Sequence, residues 1–136
     1  MKQEDKDLLL QDLCARLPYG VKIAINDKVE SLQGINILDN VAEYGSFLSC
    51  DIEEVRPYLF PLSSMTEEQK EEYNQSRLKD LRMLNSVLTE RISDGNNFDR
   101  LVVAYNEIDW LNKKHFDYRG LIKKGLAIDA TNKNIY

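Results

Sequence analysis

The spacing of apolar residues changes from a helical period to an alternating one directly after the tripeptide Pro18-Tyr19-Gly20. Before it, Leu9, Leu13 and Leu17 recur every four residues, as in an amphipathic helix. Proline and glycine together end such a helix. After it, apolar and polar residues alternate as in half-buried strands. The chain is therefore predicted to have an α+β fold that begins with a helical segment at residues 1–18.

Short strands follow, each separated from the next by residues that favour turns, such as Asn26-Asp27 and Gly45-Ser46. Several short strands within so few residues would expose two unpaired edges, which sheets often avoid by curling. We therefore expect residues 19–62 to form a small antiparallel SH3-like barrel. Its predicted strands cover residues 21–25, 28–32, 35–38, 41–44 and 47–50, followed by a capped turn at 51–54 and a last short strand.

The second half of the chain is predicted to be mainly helical, over residues 65–128. Thr66 is followed three residues later by Gln69, the spacing of a capping box that begins a helix. Apolar spacing predicts one helix from there to about residue 93 and another over residues 98–114. The connecting loop is short, so the two helices should pack as an antiparallel hairpin.

A short tail helix is expected after this hairpin. Asp117 is placed to cap it, Lys124 lies near its end, and Gly125 should adopt the left-handed conformation that closes a helix. Residues 129–136 are polar and are predicted to be loose. A chain of 136 residues has the size of a single domain.

Residues 110–128 are the most distinctive part of the sequence. They contain the only tryptophan and the only histidine, together with five Lys or Arg residues and two glycines. A cluster of cations and aromatic rings is typical of a binding surface. The candidate binding residues are Trp110, Lys113, Lys114, His115, Tyr118, Arg119, Lys123 and Lys124.

Three sequence motifs are distributed from the N-terminal to the C-terminal part of the chain. They are L-C-A-R-L-P-Y-G-V-K at residues 13–22, F-L-S-C-D at 47–51, and H-F-D-Y-R-G-L-I at 115–122 followed by K-G-L-A at 124–127. With these motifs the chain resembles a family of short uncharacterised proteins from phages and mobile elements of gut Bacteroidales. The resemblance implies a mobile-element context in a bacterial host and implies no activity.

Charge is distributed unevenly along the chain. Residues 1–65 carry 6 Lys and Arg against 11 Asp and Glu, whereas residues 66–136 carry 12 of each. An acidic half repels phosphate groups, but the basic segment 113–124 would accept an anion. Two interpretations follow: an acidic surface that binds a partner protein, and an accessory nucleic-acid site in segment 110–124. The acidic residues concerned are Asp27, Glu30, Asp39, Glu43, Asp51, Glu53 and Glu54.

His115, Asp117 and Tyr118 could supply a base, its orienting carboxylate and a proton donor. Catalysis would also need a nucleophile or an electrophilic group, and none stands in a recognisable setting. The structural interpretation fits better: Asp117 caps a helix, and His115 lies at a helix C-terminus, where a cation is favoured. We therefore predict that the protein is not an enzyme.

No cofactor or metal is expected. Gly120 and Gly125 lack the spacing of a phosphate-binding loop, and Cys14 and Cys50 have neither C-x-x-C spacing nor a second histidine to complete a metal site. The two cysteines are predicted to be small buried apolar residues rather than a disulfide.

The lengths of the apolar segments bear on where in the cell the protein is expected. The longest aliphatic block, Leu8-Leu9-Leu10, is far shorter than the roughly 20 residues of a membrane span, and the charged N-terminus does not fit a signal peptide. We therefore expect a protein of the bacterial cytoplasm without a membrane partner. Its predicted role is a non-catalytic protein-interaction module, with nucleic-acid binding as the alternative, and the sequence leaves the oligomeric state open.

Overall fold

The computed structural model describes residues 1–75 and 107–136, and the chain divides into two units. The sheet unit comprises Met1–Ser64 and His115–Tyr136, and the helical unit comprises Met65–Lys114. The fold is α+β, as predicted.

The N-terminal helix, α1, spans Gln3–Arg16, which confirms the prediction from its apolar spacing. Leu9 and Leu13 on its inner face are fully buried. A single 3-10 turn, Leu17–Tyr19, follows and ends at Gly20, whose φ of 69° places it in the left-handed region. Glycine adopts this conformation without steric cost, so the chain can turn sharply into the first strand.

The sheet is mostly antiparallel. Strands β1 to β5 follow one another along the chain, and two short strands, β6 and β7, come from the C-terminal segment and run parallel to β5. The order across the sheet is β4-β3-β2-β1-β5-β6, and β7 also pairs with β5. The strands are β1 (Lys22–Ile25), β2 (Lys28–Asn36), β3 (Val41–Tyr44), β4 (Leu48–Asp51), β5 (Arg56–Pro61), β6 (Phe116–Asp117) and β7 (Ile128–Asp129).

Strand β2 is longer than predicted, because Gly34 does not break it. The pairing of β2 with β3 instead shifts register between Leu32 and Gly34. A bulge of this kind bends the strand and increases its twist, and glycine is often found at such positions. The first half of β2 therefore pairs with β1 and the second half with β3.

The SH3-like barrel is not confirmed, because the described sheet is open. Strand β4 pairs only with β3 within the described ranges. A barrel would require β5 to bring its free edge back to β4, but that edge is occupied by β6 at Phe60 and Pro61 and by β7 at Tyr58 and Leu59. Strands of two residues carry no alternating pattern that a sequence could reveal.

The core of the sheet unit lies between α1, the sheet and the segment 121–127. Its buried residues are Leu9, Leu13, Val21, Ile23, Ile25, Leu32, Ala42, Ile52, Val55, Leu59, Leu121, Leu126 and Ala127.

The segment after β6 is one tight turn rather than the predicted helix through Lys124. Both carboxylate oxygens of Asp117 accept backbone N–H groups, one from Leu121 and one from Ile122. At the other end, Gly125 (φ 74°) donates to Ile122 O, and Leu126 donates to Leu121 O. This pair of bonds is the Schellman pattern. Gly125 therefore closes the turn in the left-handed conformation predicted for it, whereas Asp117 holds the turn instead of capping a helix.

The helical unit contains helical residues 67–75 and 107–113. The predicted capping box is present, because Gln69 N donates to Thr66 Oγ1 (3.1 Å) and Thr66 N donates to Gln69 Oε1 (2.9 Å). Residues 76–106, which include the predicted loop and most of the predicted hairpin, lie outside the described residues, so the hairpin stays a prediction. No helix in the described ranges is both long and apolar enough to cross a membrane.

Candidate functional site

The eight candidate binding residues fall into different units. Trp110, Lys113 and Lys114 belong to the helical unit, while the five from His115 to Lys124 belong to the sheet unit. The predicted candidate binding residues therefore do not belong to a single unit.

Within the helical unit, two of the three candidates have structural contacts. The ring of Trp110 is buried and packs against Tyr73, with ring centroids 5.3 Å apart. Lys114 Nζ lies 3.2 Å from a carboxylate oxygen of Glu72. Lys113 is exposed. Of these three side chains, Lys113 is the one placed to meet a ligand from solvent.

Arg119 belongs to a buried ion cluster in the sheet unit. Its Nη1 donates to Asp12 Oδ1 (2.9 Å), and Arg16 Nε donates to Asp12 Oδ2 (2.8 Å). The side chains of Asp12 and Arg16 are fully buried. The side chain of Arg119 is 23% exposed, so one buried cation and one partly buried cation share a single buried carboxylate. Charges buried in this way are retained only when paired and hydrogen-bonded.

The same cluster joins α1 to the C-terminal segment. Arg16 Nη2 donates to the carbonyl oxygen of Phe116 (2.6 Å), 100 residues along the chain. The ring of Tyr118 lies 5.4 Å from Arg16 Cζ and 4.7 Å from Arg119 Cζ, within the range of cation–π attraction. Tyr118 and Arg119 therefore stabilise the packing of the segment on α1.

His115 is buried and stacks on Tyr136, with ring centroids 3.8 Å apart and planes within 10°. Its φ is 64°, in the left-handed region. Burial, together with the nearby Arg16 cation, lowers the pKa of His115 from 6.5 to about 4. His115 is therefore neutral at pH 7, which corrects the expectation of a cation at a helix end.

His115 and Asp117 are not arranged as a base and its orienting carboxylate. Asp117 is engaged by backbone N–H groups, as described above, and His115 Nδ1 is buried without a hydrogen-bond partner among the described residues. A catalytic base is normally oriented through that second ring nitrogen.

The last two candidates lie on the surface of the tight turn. Lys123 is exposed, and Lys124 Nζ is 3.5 Å from a carboxylate oxygen of Asp5 at the start of α1. Arg119 and Lys124 thus each have a carboxylate partner. Among the described residues, no ion pair is recorded for Lys123.

The tail, predicted to be loose, is held at Tyr136. The hydroxyl of Tyr136 donates to Tyr58 O (2.7 Å) and accepts from Lys22 N (2.9 Å), so it lies between β5 and β1. Burial of this hydroxyl raises its pKa to about 12. Stacking on His115 completes the contact. A polar tail sequence gave no sign of this anchor, because its partners are backbone groups of distant strands.

Replacing Tyr136 with phenylalanine should lower the free energy of unfolding by about 1–2 kcal/mol, because two backbone groups lose their partner. Urea unfolding measures the change. Tyr44→Phe is the matched control, since no hydrogen bond of its hydroxyl is recorded in the described part of the chain. Equal stability of the two variants would contradict the anchoring role of Tyr136.

Acid should destabilise the protein through His115. The unfolded chain protonates this residue near the ordinary pKa of 6.5, but the folded chain does so only near 4. Lowering the pH through this window therefore favours the unfolded state. Between about pH 7.5 and about pH 4.5, the wild type should lose roughly 1–2 kcal/mol more than His115→Asn, measured by urea unfolding. Asparagine tolerates the left-handed backbone. Parallel pH profiles for the two proteins would contradict the burial of His115.

A different surface surrounds the hairpin of β3 and β4. A groove of about 590 Å³ lies there, lined by side chains that include Gln33, Glu43, Phe47 and Leu48. Phe47 is 106% exposed and Leu48 is 52% exposed. Phe47 was predicted to begin a strand, but it lies in the turn with φ 63°. Ile37 (62%) and Leu38 (94%), between β2 and β3, form another adjacent pair of exposed apolar side chains, but Phe47 and Leu48 also line the groove. Exposed apolar side chains beside a groove favour a contact with another molecule.

This surface, termed the hairpin surface (residues 41–51), is acidic as well as apolar. Glu43 is the only charged residue among the described residues that line the groove. Residues 27–54 carry seven Asp or Glu residues and one lysine. Glu53 pairs with Lys6, whereas Glu30 and Glu43 have no ion-pair partner in the described part of the chain.

The chain matches no protein-family model, no curated protein and no solved structure.

The described residues contain no group of three His, Cys, Asp or Glu side chains that could hold a metal ion. Cys14 and Cys50 are free and half-buried, and burial raises the pKa of both thiols. A raised pKa keeps a thiol protonated and poorly nucleophilic at neutral pH.

Proposed function

We propose that this protein is a non-catalytic interaction module that binds a partner protein through the hairpin surface. The observation that carries the proposal is the full exposure of Phe47 beside Leu48 and the unpaired Glu43. Apolar anchors with a charged rim are the usual composition of a protein-binding surface.

The biological setting is part of the proposal. The three sequence motifs support a place among phage and mobile-element proteins, acting in the cytoplasm of a bacterial host. An SH3-like arrangement of the bent sheet stays a prediction, as does the single domain of 136 residues.

Nucleic-acid binding by segment 110–124 is the alternative. Exposed Lys113 and Lys123 favour it. Against it, Lys114, Arg119 and Lys124 are each paired with a carboxylate, which lowers the charge available to phosphates.

Affinity capture from a bacterial host lysate, with and without nuclease, separates the two functions. We expect one host protein to remain bound after nuclease treatment, and to bind the purified chain directly. Glu43→Lys should weaken this binding, whereas Lys113→Glu with Lys123→Glu should leave it unchanged. Bound material that disappears with nuclease, or with the lysine changes, would replace the proposal with nucleic-acid binding.

A further inference from the structure

We propose that the free edge of β4 binds an extended, cationic segment of the partner protein as an added antiparallel or parallel strand. This inference rests on the proposed function and names the chemistry of the partner and its mode of binding.

Among the described residues, no strand pairs with the outer edge of β4. Strand β4 (Leu48–Asp51) lies at the end of the sheet and pairs only with β3 within the described residues. In an antiparallel pair, alternate residues direct both N–H and C=O away from the neighbouring strand. Such an edge is a template for an incoming strand, and recognition by strand addition uses it.

Apolar contacts lie at the start of the same strand. Leu48 faces Tyr44 across the hairpin, and Phe47 precedes it with its side chain in solvent. A bulky residue in the left-handed region is strained, and glycine or asparagine would be the ordinary choice at that position. Phe47 is fully exposed in this strained conformation, and the groove beside it offers room for an apolar side chain of another molecule.

The acidic side chains beside the edge of β4 favour a cationic segment. Asp51 is exposed on β4, and Glu43 pairs with the small residue Ser49, so all three share the outer face. An added strand would lie two strand spacings from β3, about 10 Å from Glu43. Ser49 lies between them and is small, so a lysine of the added strand and the Glu43 side chain can together span this distance. In the free chain the Glu43 carboxylate lies over Gly34, without an ion pair among the described residues.

A second copy of this chain fits the edge less well. Two β4 strands side by side would bring Asp51 and Glu43 of both copies together, and like charges facing each other destabilise strand pairing. The acidic edge thus disfavours self-pairing and favours a segment of opposite charge.

The test is binding of the purified chain to a panel of fluorescent octapeptides in which an apolar residue alternates with lysine, measured by anisotropy. The same panel with glutamate in place of lysine is the charge control. We expect lysine peptides to bind with Kd on the order of 100 µM or tighter, and glutamate peptides to bind at least about tenfold more weakly. Phe47→Gly and Glu43→Lys should each weaken binding about tenfold.

Two control variants remove similar groups elsewhere. Leu38→Asn removes another fully exposed apolar side chain, and Glu68→Lys reverses another exposed charge; both should bind like the wild type. Phe47→Gly should melt at the same or a higher temperature than the wild type, which separates lost contact from lost folding.

Failure of every lysine peptide to bind, or equal binding by Phe47→Gly and Glu43→Lys, would overturn the strand-addition proposal. Analytical ultracentrifugation could also overturn it. A dimer that forms in the wild type and is lost in Phe47→Gly would mean that a second copy of the chain occupies the edge of β4. The proposed function fails separately, when no host protein binds the purified chain at all.

Discussion

Replacing Asp12 with alanine should lower the free energy of unfolding by about 3–5 kcal/mol, the usual cost of removing one partner from a buried ion pair. Arg16 would remain fully buried with its Nε unpaired, and Arg119 would lose its carboxylate partner. Urea unfolding followed by circular dichroism measures the change. Asp12→Asn keeps the size of the side chain and removes its charge, so it should give a smaller loss and remains measurable if the alanine variant does not fold.

Asp7→Ala is the control on the same helix, since Asp7 is exposed and receives its hydrogen bond from the exposed Gln3. It should change stability by less than about 0.5 kcal/mol. The double variant Asp12→Leu with Arg16→Met should be less damaging than the sum of its single changes, because it leaves no unpaired charge at those two positions. A loss of under about 1 kcal/mol for Asp12→Ala would contradict the buried cluster.

Replacing Phe116 with alanine should lower the free energy of unfolding by about 3–5 kcal/mol. Phe116 is 1% exposed, lies in β6 against Phe60 with ring centroids 6.1 Å apart, and holds Arg16 through its carbonyl oxygen. The variant leaves a cavity where the C-terminal segment meets β5. Thermal and urea unfolding measure the loss.

Phe47→Ala makes the same chemical change on the surface and provides the matched control. Because Phe47 is fully exposed and has a left-handed backbone, its removal should alter stability by less than about 0.5 kcal/mol. Similar losses in the two variants would mean that the residues after 114 are not part of the core of the sheet unit.

Local features of the fold could be predicted from the sequence because their causes are local. The leucine spacing of α1, the pairing of Thr66 with Gln69, and the left-handed conformation of Gly125 depend on residues within about one helical turn of each other. The β1–β2 hairpin at Asn26-Asp27 is confirmed for the same reason.

The long-range features could not be predicted. Asp12 and Arg16 are spaced as an ordinary exposed pair on a helix. Their burial depends on distant partners, because Asp12 accepts from Arg119 and Arg16 donates to the carbonyl oxygen of Phe116. Strand β6 has two residues and is recognisable only through its pairing with Phe60 and Pro61. The sequence pattern also placed Phe47 in a strand, because aromatic residues favour strands, whereas the structure places it in the turn.

Amide hydrogen exchange of the complex with the captured partner protein tests most directly where that partner binds. Amides on the free edge of β4 lack an intramolecular acceptor among the described strands, so they should exchange quickly in the free protein and become protected in the complex. We expect protection to appear in peptides covering residues 41–51 and none to be gained at 113–124. Protection gained at 113–124, with 41–51 unchanged, would contradict the account and assign binding to the basic segment.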